Sequence, residues 1–151
     1  METGPPDTTV GFEVRRLRTQ AEFDAALALR HDVFCVEQGV PSREERDGRD
    51  RSGLHLIAVQ GGEVVGTCRL VFVGNTVQFS RLAVRRSARR QGIASALLRV
   101  TDAESRARGA TRIVLHAQTY ARPLYDQAGY VSRGREFVEA EIEHIAMEKL
   151  L

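Results

Sequence analysis

From Gly11 to Arg18 the chain reads Gly-Phe-Glu-Val-Arg-Arg-Leu-Arg, an apolar and polar alternation with the period of a half-buried strand. Thr19 then stands where a helix N-cap belongs, with Glu22 at the capping-box position. Phe23, Ala26, Leu27, Leu29, Arg30, Val33 and Phe34 carry a helical stripe to about Glu37. The stretch from Gly39 to Gly53 holds Pro41 and eight charged residues. It reads as an exposed loop of unusual length, the kind that carries function. Leu54 to Gln60 reads as a buried strand, Gly61-Gly62 as a hairpin turn into Glu63 to Val73, and Gly74-Asn75 as a second turn. Thr76 to Val84 completes an antiparallel meander. A helix follows from about Gly92, with Ile93, Ala94, Ala96, Leu97, Leu98, Val100, Thr101, Ala103 and Glu104 as its buried stripe and Gly109 as its stop. Arg112 to Ala117 is a strand, Ala121 to Ala128 a short helix closed by Gly129, and Tyr130 to Val138 and Ile142 to Leu150 two last strands. The predicted order is β-α-β-β-β-α-β-α-β-β.

At 151 residues the chain has the length of one domain, expected over residues 10 to 151. Met1 to Thr9, with two prolines, a glycine and no apolar h-region, reads as a flexible leader. No segment approaches the roughly 20 apolar residues of a membrane span, so a cytoplasmic protein is expected. Cys35 and Cys68 read as buried thiols, with a nucleophilic Cys35 as the lesser reading, and no spacing of Cys or His offers a metal site. A net charge of +2 conceals segregation: five of the ten residues from Arg81 to Arg90 are arginine, while acids gather at 44–50 and 136–148.

The strand Gln78 to Val84 therefore passes through a basic turn into a helix opening at Gly92. Free N–H groups at a helix start, on the positive end of its dipole, form a site for a diphosphate. Gly92 admits the phosphate, small Ala94 keeps the first turn clear, and Arg85, Arg86, Arg89 and Arg90 supply charge. Neither the Walker pattern nor G-x-G-x-x-G is present, which disfavours nucleotide hydrolysis and hydride transfer.

Arg89-x-x-Gly92-x-Ala94 resembles the R/Q-x-x-G-x-G/A signature of the GNAT superfamily, the acyl-CoA-dependent N-acetyltransferases. Downstream, Gln118-x-x-Ala121-x-x-Leu124-Tyr125-x-x-x-Gly129-Tyr130 resembles a second segment of that family, with Gln118 in place of Asn and Tyr130 in place of Phe. The N-terminal run Arg30-His31-x-Val33-Phe34-x-Val36-Glu37-Gln38, with Pro41, Glu44, Asp47, Asp50 and His55, is similar to the ElaA-like branch. So is the tail from Phe137 to Met147, with Glu143 where that branch often has proline. The resemblance implies an α+β, three-layer fold: a mixed, mostly antiparallel, splayed central sheet of six to seven strands flanked by helices. It implies acetyl-CoA as co-substrate, held by Leu82, Ala83, Val84, Arg89, Arg90, Gln91, Gly92, Ile93, Ala94, Gln118 and Tyr125, with a primary amine of a small molecule or peptide as acceptor.

Acyl transfer to an amine needs a donor for the carbonyl oxygen, an acid for the thiolate and a base for the amine. A backbone N–H within Leu82 to Val84 suits the first role, and the resemblance nominates Tyr125 for the second. Gln78 stands where some relatives carry a glutamate, so the base is open among Glu37, His116, Glu139 and His144. Plainer readings stand beside these: a core Tyr125, structural histidines, a Glu37 paired with Arg30. The acids of Glu44 to Asp50 read as a solvated turn able to draw a cationic amine. The alternatives to an N-acetyltransferase are an acyl-homoserine-lactone-synthase-like enzyme, which the absence of tryptophan disfavours, and a non-catalytic CoA-binding sensor. A nucleic-acid module built on Arg81 to Arg90 lacks a recognition helix and an aromatic platform. The expected partners are thus acetyl-CoA and an amine, without nucleic acid or membrane, and the sequence leaves a homodimer open.

Overall fold

The computed structural model describes residues 11–151, so the expected leader lies outside the described residues. Seven strands form one sheet in the order β1-β2-β3-β4-β5-β7-β6: β1 Glu13–Arg16, β2 Leu54–Gln60, β3 Glu63–Val73, β4 Thr76–Val84, β5 Arg112–Gln118, β6 Val131–Glu139 and β7 Ile142–Leu150. All neighbours are antiparallel except β4 and β5, which pair in parallel through only three positions, Thr76–Arg112, Val77–Ile113 and Gln78–Val114. Beyond Gln78 the two strands part, and this is the splayed, mostly antiparallel sheet the resemblance implies.

Helix α1 (Gln20–Arg30) starts where Thr19 predicts it: Oγ1 accepts the backbone N–H of Glu22 at 3.1 Å. The Glu22 carboxylate reaches back to the backbone N–H groups of Arg18, at 2.8 Å, and Thr19, and is also gripped by Arg15 at 2.6 Å. The helix continues to Glu37 as predicted, but His31–Glu37 is wound as a π-helix. The hairpin turns stand as read, with Gly61, Gly62 and Gly74 all at positive φ. Helix α3 (Ile93–Ala107) buries Ile93, Ala96, Leu97, Leu98, Thr101, Glu104 and Ser105. Ala103, expected in that stripe, faces solvent, and Ser105 takes the core position one turn on from Thr101. Helix α4 (Arg122–Gln127) follows a single 3₁₀ turn over Thr119–Ala121.

Alternation along β2 and β3 splits the core into two faces. Leu56, Ala58, Cys68 and Leu70 pack with Ile93, Leu97, Leu98 and Tyr125 of α3 and α4. Ile57 and Val64 meet Ala26, Leu29 and Val33 from the other side. At about 25 cal/mol per Å² of apolar surface, each fully buried Leu or Ile contributes roughly 1.5–3 kcal/mol, so these faces fix the sheet between its helices. Gly66 makes the closest approach: a Cβ there would lie 2.8 Å from Cγ2 of Ile93, so a bare backbone lets α3 sit against β3. This contact places the start of α3 beside the end of β4.

The stretch from Gly39 to Gly53 is largely exposed, as its charges predict, but Ser42–Glu45 forms a short helix, α2, and Glu45 turns inward with Asp50 half-buried. Arg30, 1% exposed, donates from Nε to Glu45 at 2.7 Å and from Nη1 to Asp50 at 2.6 Å. Arg69 bridges Asp47 at 2.7 Å and Asp50 at 3.0 Å. Long arginines from α1 and β3 reach acids distant in sequence, and mutual pairing offsets part of the cost of burying each charge. Glu45, Asp47 and Asp50 are therefore already paired with arginines, while Glu44 lines the cleft. Cysteine placement also differs from expectation: Cys68 is buried, its thiol pushed up to about 12 by desolvation, whereas Cys35 is half-buried.

Candidate active site

Between the parted ends of β4 and β5 lies a cleft of about 1020 Å³. It runs from Val84, Arg89 and Ala94 at the start of α3 to His144 and Glu148 on β7. Its β4 wall is irregular. Thr67 pairs with Ala83 and Arg69 with Ser80, so Arg81 and Leu82 together oppose Cys68 in a β-bulge. Arg81 takes φ +61°, a left-handed conformation that a non-glycine residue adopts at a cost. Its side chain explains why it can: Nη2 donates to the carbonyl of Glu45 at 3.0 Å and to Asp47 at 3.2 Å. The bulge interrupts the β3–β4 ladder beside the cleft, at the residues where a backbone donor for a carbonyl oxygen is expected.

Arg90 and Gly92 both adopt positive φ, +65° and +83°, so the chain turns sharply into α3. Gly92 is the N-cap and no side chain caps the helix, which leaves its first N–H groups for an external acceptor. Nothing lies within 4 Å of a Cβ built on Gly92; its glycine is required by the backbone conformation rather than by crowding. Gln91 accepts from Gln60 at 2.9 Å, holding the turn to the end of β2. Ile93 and Ala83 pack into the core, and of the two only Ala83 also lines the cleft. Ala94, Leu82 and Val84 line the cleft. These features fit the diphosphate and pantetheine arm of a coenzyme A donor.

Three arginines of the turn, Arg85, Arg86 and Arg89, already have partners. Arg85 meets Glu63 at 3.0 Å, and Glu37 receives Arg89 at 2.7 Å and Arg86 at 3.3 Å. Glu37 thus pairs with the turn rather than with Arg30, and Arg89, then Arg86, hold its carboxyl below the ordinary range. Gln118, at the end of β5, donates to Gln38 at 2.8 Å across the mouth of the cleft.

Tyr125 of α4 lines the cleft, 7% exposed, edge-on to Phe79 and Tyr130. Burial pushes its phenol well up, so it stays protonated. The two histidines differ. His144 is buried and its Nδ1 lies 2.7 Å from the carbonyl of Ile142, which can only accept; Nδ1 therefore carries a proton and Nε2 of the neutral ring holds a lone pair. His116 is exposed and pairs through Nδ1 with Glu139 at 3.0 Å. Phe137 lies edge-on to His116 and stacks on His144. The cleft thus gathers Glu37, Gln118, Tyr125, His116, Glu139 and His144. Sequence reasoning missed Arg81 as the anchor of the bulge and Gln38 as the partner of Gln118. The arginine-rich run concealed the first, and nothing local marks the second.

Residues 20–151 match the family model of the acetyltransferase (GNAT) domain. YyaT of Bacillus subtilis is 30% identical over 141 residues, covering 91% of this chain and 95% of that protein. An acyl-CoA N-acyltransferase from Pseudomonas aeruginosa superposes with a TM-score of 0.79 at 29% identity, over 91% of this chain and 98% of that one. Escherichia coli ElaA shares the fold, with a TM-score of 0.82 at 22% identity over 91% and 99% of the two chains. Splayed strands, a bulge facing the gap and an uncapped helix beside it are thus joined to a family match over most of the chain, and the protein belongs to the GNAT acetyltransferase family as an acyl-CoA N-acyltransferase.

Proposed function

We propose that the protein transfers the acetyl group of acetyl-CoA to a primary amine of a small molecule or peptide, by direct attack with both substrates bound. The observation that carries this reading is the parting of β4 and β5 after Gln78–Val114, which opens one cleft to the helix start on one side and to His144 and Tyr125 on the other. In this reading the diphosphate rests on the first N–H groups of α3 with Arg89, Arg90 and Gln91 around it, and the pantetheine arm follows Leu82 to Val84. Gln118 and Tyr125 border the arm from the other wall. The acetyl-CoA supplies the thioester; the rest is done by the chain.

The amine nitrogen attacks the thioester carbonyl as its proton passes to His144 Nε2, directly or through water. His144 is favoured over His116 and Glu37 because its lone pair is held free by the bond at Nδ1, whereas Glu37 is bound to two arginines. The developing oxyanion accepts a backbone N–H at the bulge. The C–S bond then breaks and Tyr125 donates its proton to the departing thiolate. A phenol kept neutral by burial remains available as an acid over the working pH range.

Isothermal titration with acetyl-CoA tests the donor site. Binding should be seen and should be abolished by Gly92→Glu, which adds negative charge where the diphosphate sits; unchanged affinity would remove the loop from the site. A panel of amines with acetyl-CoA, followed by free thiol, tests the reaction. Tight CoA binding without thiol release for any amine of the panel would point instead to a sensor.

A further inference from the structure

Glu37 closes the π-helical segment, a geometry found often at functional sites. Its Oε1 lies 2.7 Å from Nη2 of Arg89 and its Oε2 3.0 Å from Nη1 of Arg89 and 3.3 Å from Nη2 of Arg86. Nε of Arg89 is spent on the carbonyl of Val84 at 3.0 Å. The next residue, Gln38, reaches the other way, to Gln118 at 2.8 Å and to the hydroxyl of Tyr120 at 3.4 Å. Two consecutive residues of one segment therefore bridge the ends of β4 and β5 across the cleft, and the β4 anchor uses the donors a diphosphate at the start of α3 would need. A diphosphate and a carboxylate cannot both hold those donors, because each repels the other at contact distance.

We propose that Glu37 is an exchangeable counter-anion of the donor site, displaced from Arg89 and Arg86 by the diphosphate of the incoming acyl-CoA and turned into the cleft as a carboxylate facing the acceptor. The inference rests on the donor site proposed above. Donor binding moves one negative charge from the arginine turn towards the acceptor half of the cleft, which Glu44 and Glu139 also line. A cationic amine is then drawn towards the carboxylate that the donor has displaced. The Gln38–Gln118 contact carries no charge and is not in competition with the diphosphate, so the segment stays attached to β5 while its other anchor is exchanged.

Titration with CoA of the wild type, Glu37→Gln and Glu63→Gln separates the outcomes. Glu63 is the matched control: it pairs with Arg85 on the same turn, and its replacement removes the same charge. Glu37→Gln should bind CoA about two- to fivefold more tightly than the wild type, the range of an exposed ion pair, and the gain should shrink in high salt. Glu63→Gln should stay within twofold. Equal or weaker binding by Glu37→Gln, or the same gain in both variants, would overturn the exchange while leaving the donor site intact. Absence of CoA binding in all three proteins would instead overturn the donor site and the exchange with it.

Discussion

The Arg81 guanidinium and the Glu45 carbonyl oxygen lie 3.0 Å apart, fastening the bulge of β4 to helix α2. Arg81 thus adopts left-handed backbone and anchors it with its own side chain. Two substitutions separate these effects. Arg81→Ala keeps the strained backbone and loses the anchor, whereas Arg81→Gly loses the anchor but relieves the strain. Arg81→Gly should be more stable than Arg81→Ala by about 1 kcal/mol in urea denaturation. Both should lower kcat by about tenfold or more by loosening the wall that receives the carbonyl oxygen, with little change in KM for acetyl-CoA. Equal stabilities would show that the backbone at Arg81 is unstrained.

The buried pair Arg30–Glu45 should dominate stability in the 42–50 region. Removing Arg30 leaves Glu45, 3% exposed, with only the longer contacts to Arg81 and Arg46 at 3.3 Å, and strips Asp50 of its closest partner. Arg30→Ala should cost about 3–5 kcal/mol, most of it the penalty of a buried charge that has lost its closest partner. Arg46 also meets Glu45, at 3.3 Å, but from solvent, so Arg46→Ala should cost under about 1 kcal/mol. Denaturant midpoints of the two variants measure the difference directly. Similar losses would mean that burial is not what sets the value of Arg30.

That contrast shows what could be read along the chain. Local chemistry marks local structure: Thr19 caps α1, the Gly61-Gly62 and Gly74-Asn75 pairs turn the meander, and Gly92 opens α3. Each depends on backbone demands satisfied within a few residues. The network of Arg30, Glu45, Asp47, Asp50 and Arg69 depends on contacts across 15 to 22 positions, so its acids look like those of any exposed turn. The same holds at the cleft. Tyr125 and the turn at Gly92 carry motifs that place them there, but whether Glu37 pairs with Arg30 or with Arg89 is decided only when β4 meets the end of the π-helical segment.

Tyr125→Phe should leave the fold intact, since the ring still fills the space against Phe79 and Tyr130. If the hydroxyl protonates the thiolate, kcat should fall about 10²-fold or more while KM for acetyl-CoA changes little. Because burial raises the phenol above its usual value of 10.0, kcat of the wild type should not decline from tyrosine ionisation below pH 10. A pH profile in which the acid limb ionises near 9 would assign the proton to another group.

His144→Gln tests the base. The substitution keeps a donor for the carbonyl of Ile142, now bonded to Nδ1 at 2.7 Å, and removes the lone pair at Nε2. Turnover should fall by about 10²-fold or more with CoA affinity unchanged. His116→Gln, which alters an exposed ring paired with Glu139, should stay within about threefold of the wild type, the scale of an exposed pair. The reverse ranking would move the base to the His116–Glu139 pair.

Stability should fall on acidification in two phases. The first belongs to His55, whose Nε2 lies 2.8 Å from the carbonyl of Asp50 and whose ring meets Phe23 edge-on. Burial lowers its pKa below the ordinary 6.5, so the unfolded chain binds the proton first. Its contribution is present above pH 6.5 and is lost as pH falls below it. The second phase belongs to carboxylates. Glu22 is lowered from 4.5 to about 2, chiefly by its bond to Arg15. Asp47 is lowered from 3.8 chiefly by Arg69; for Asp50, burial acts upward but Arg30 and then Arg69 outweigh it. Because all three are depressed in the fold, their stabilisation holds above about pH 4.5 and is lost as pH falls towards 2. Scanning calorimetry should show a constant Tm near pH 7–8, a modest decline through pH 6 and a steeper one below 4.5. His55→Gln should remove the first decline and keep the second. A Tm that holds constant down to pH 4.5 in the wild type would mean that His55 titrates alike in the folded and unfolded chains.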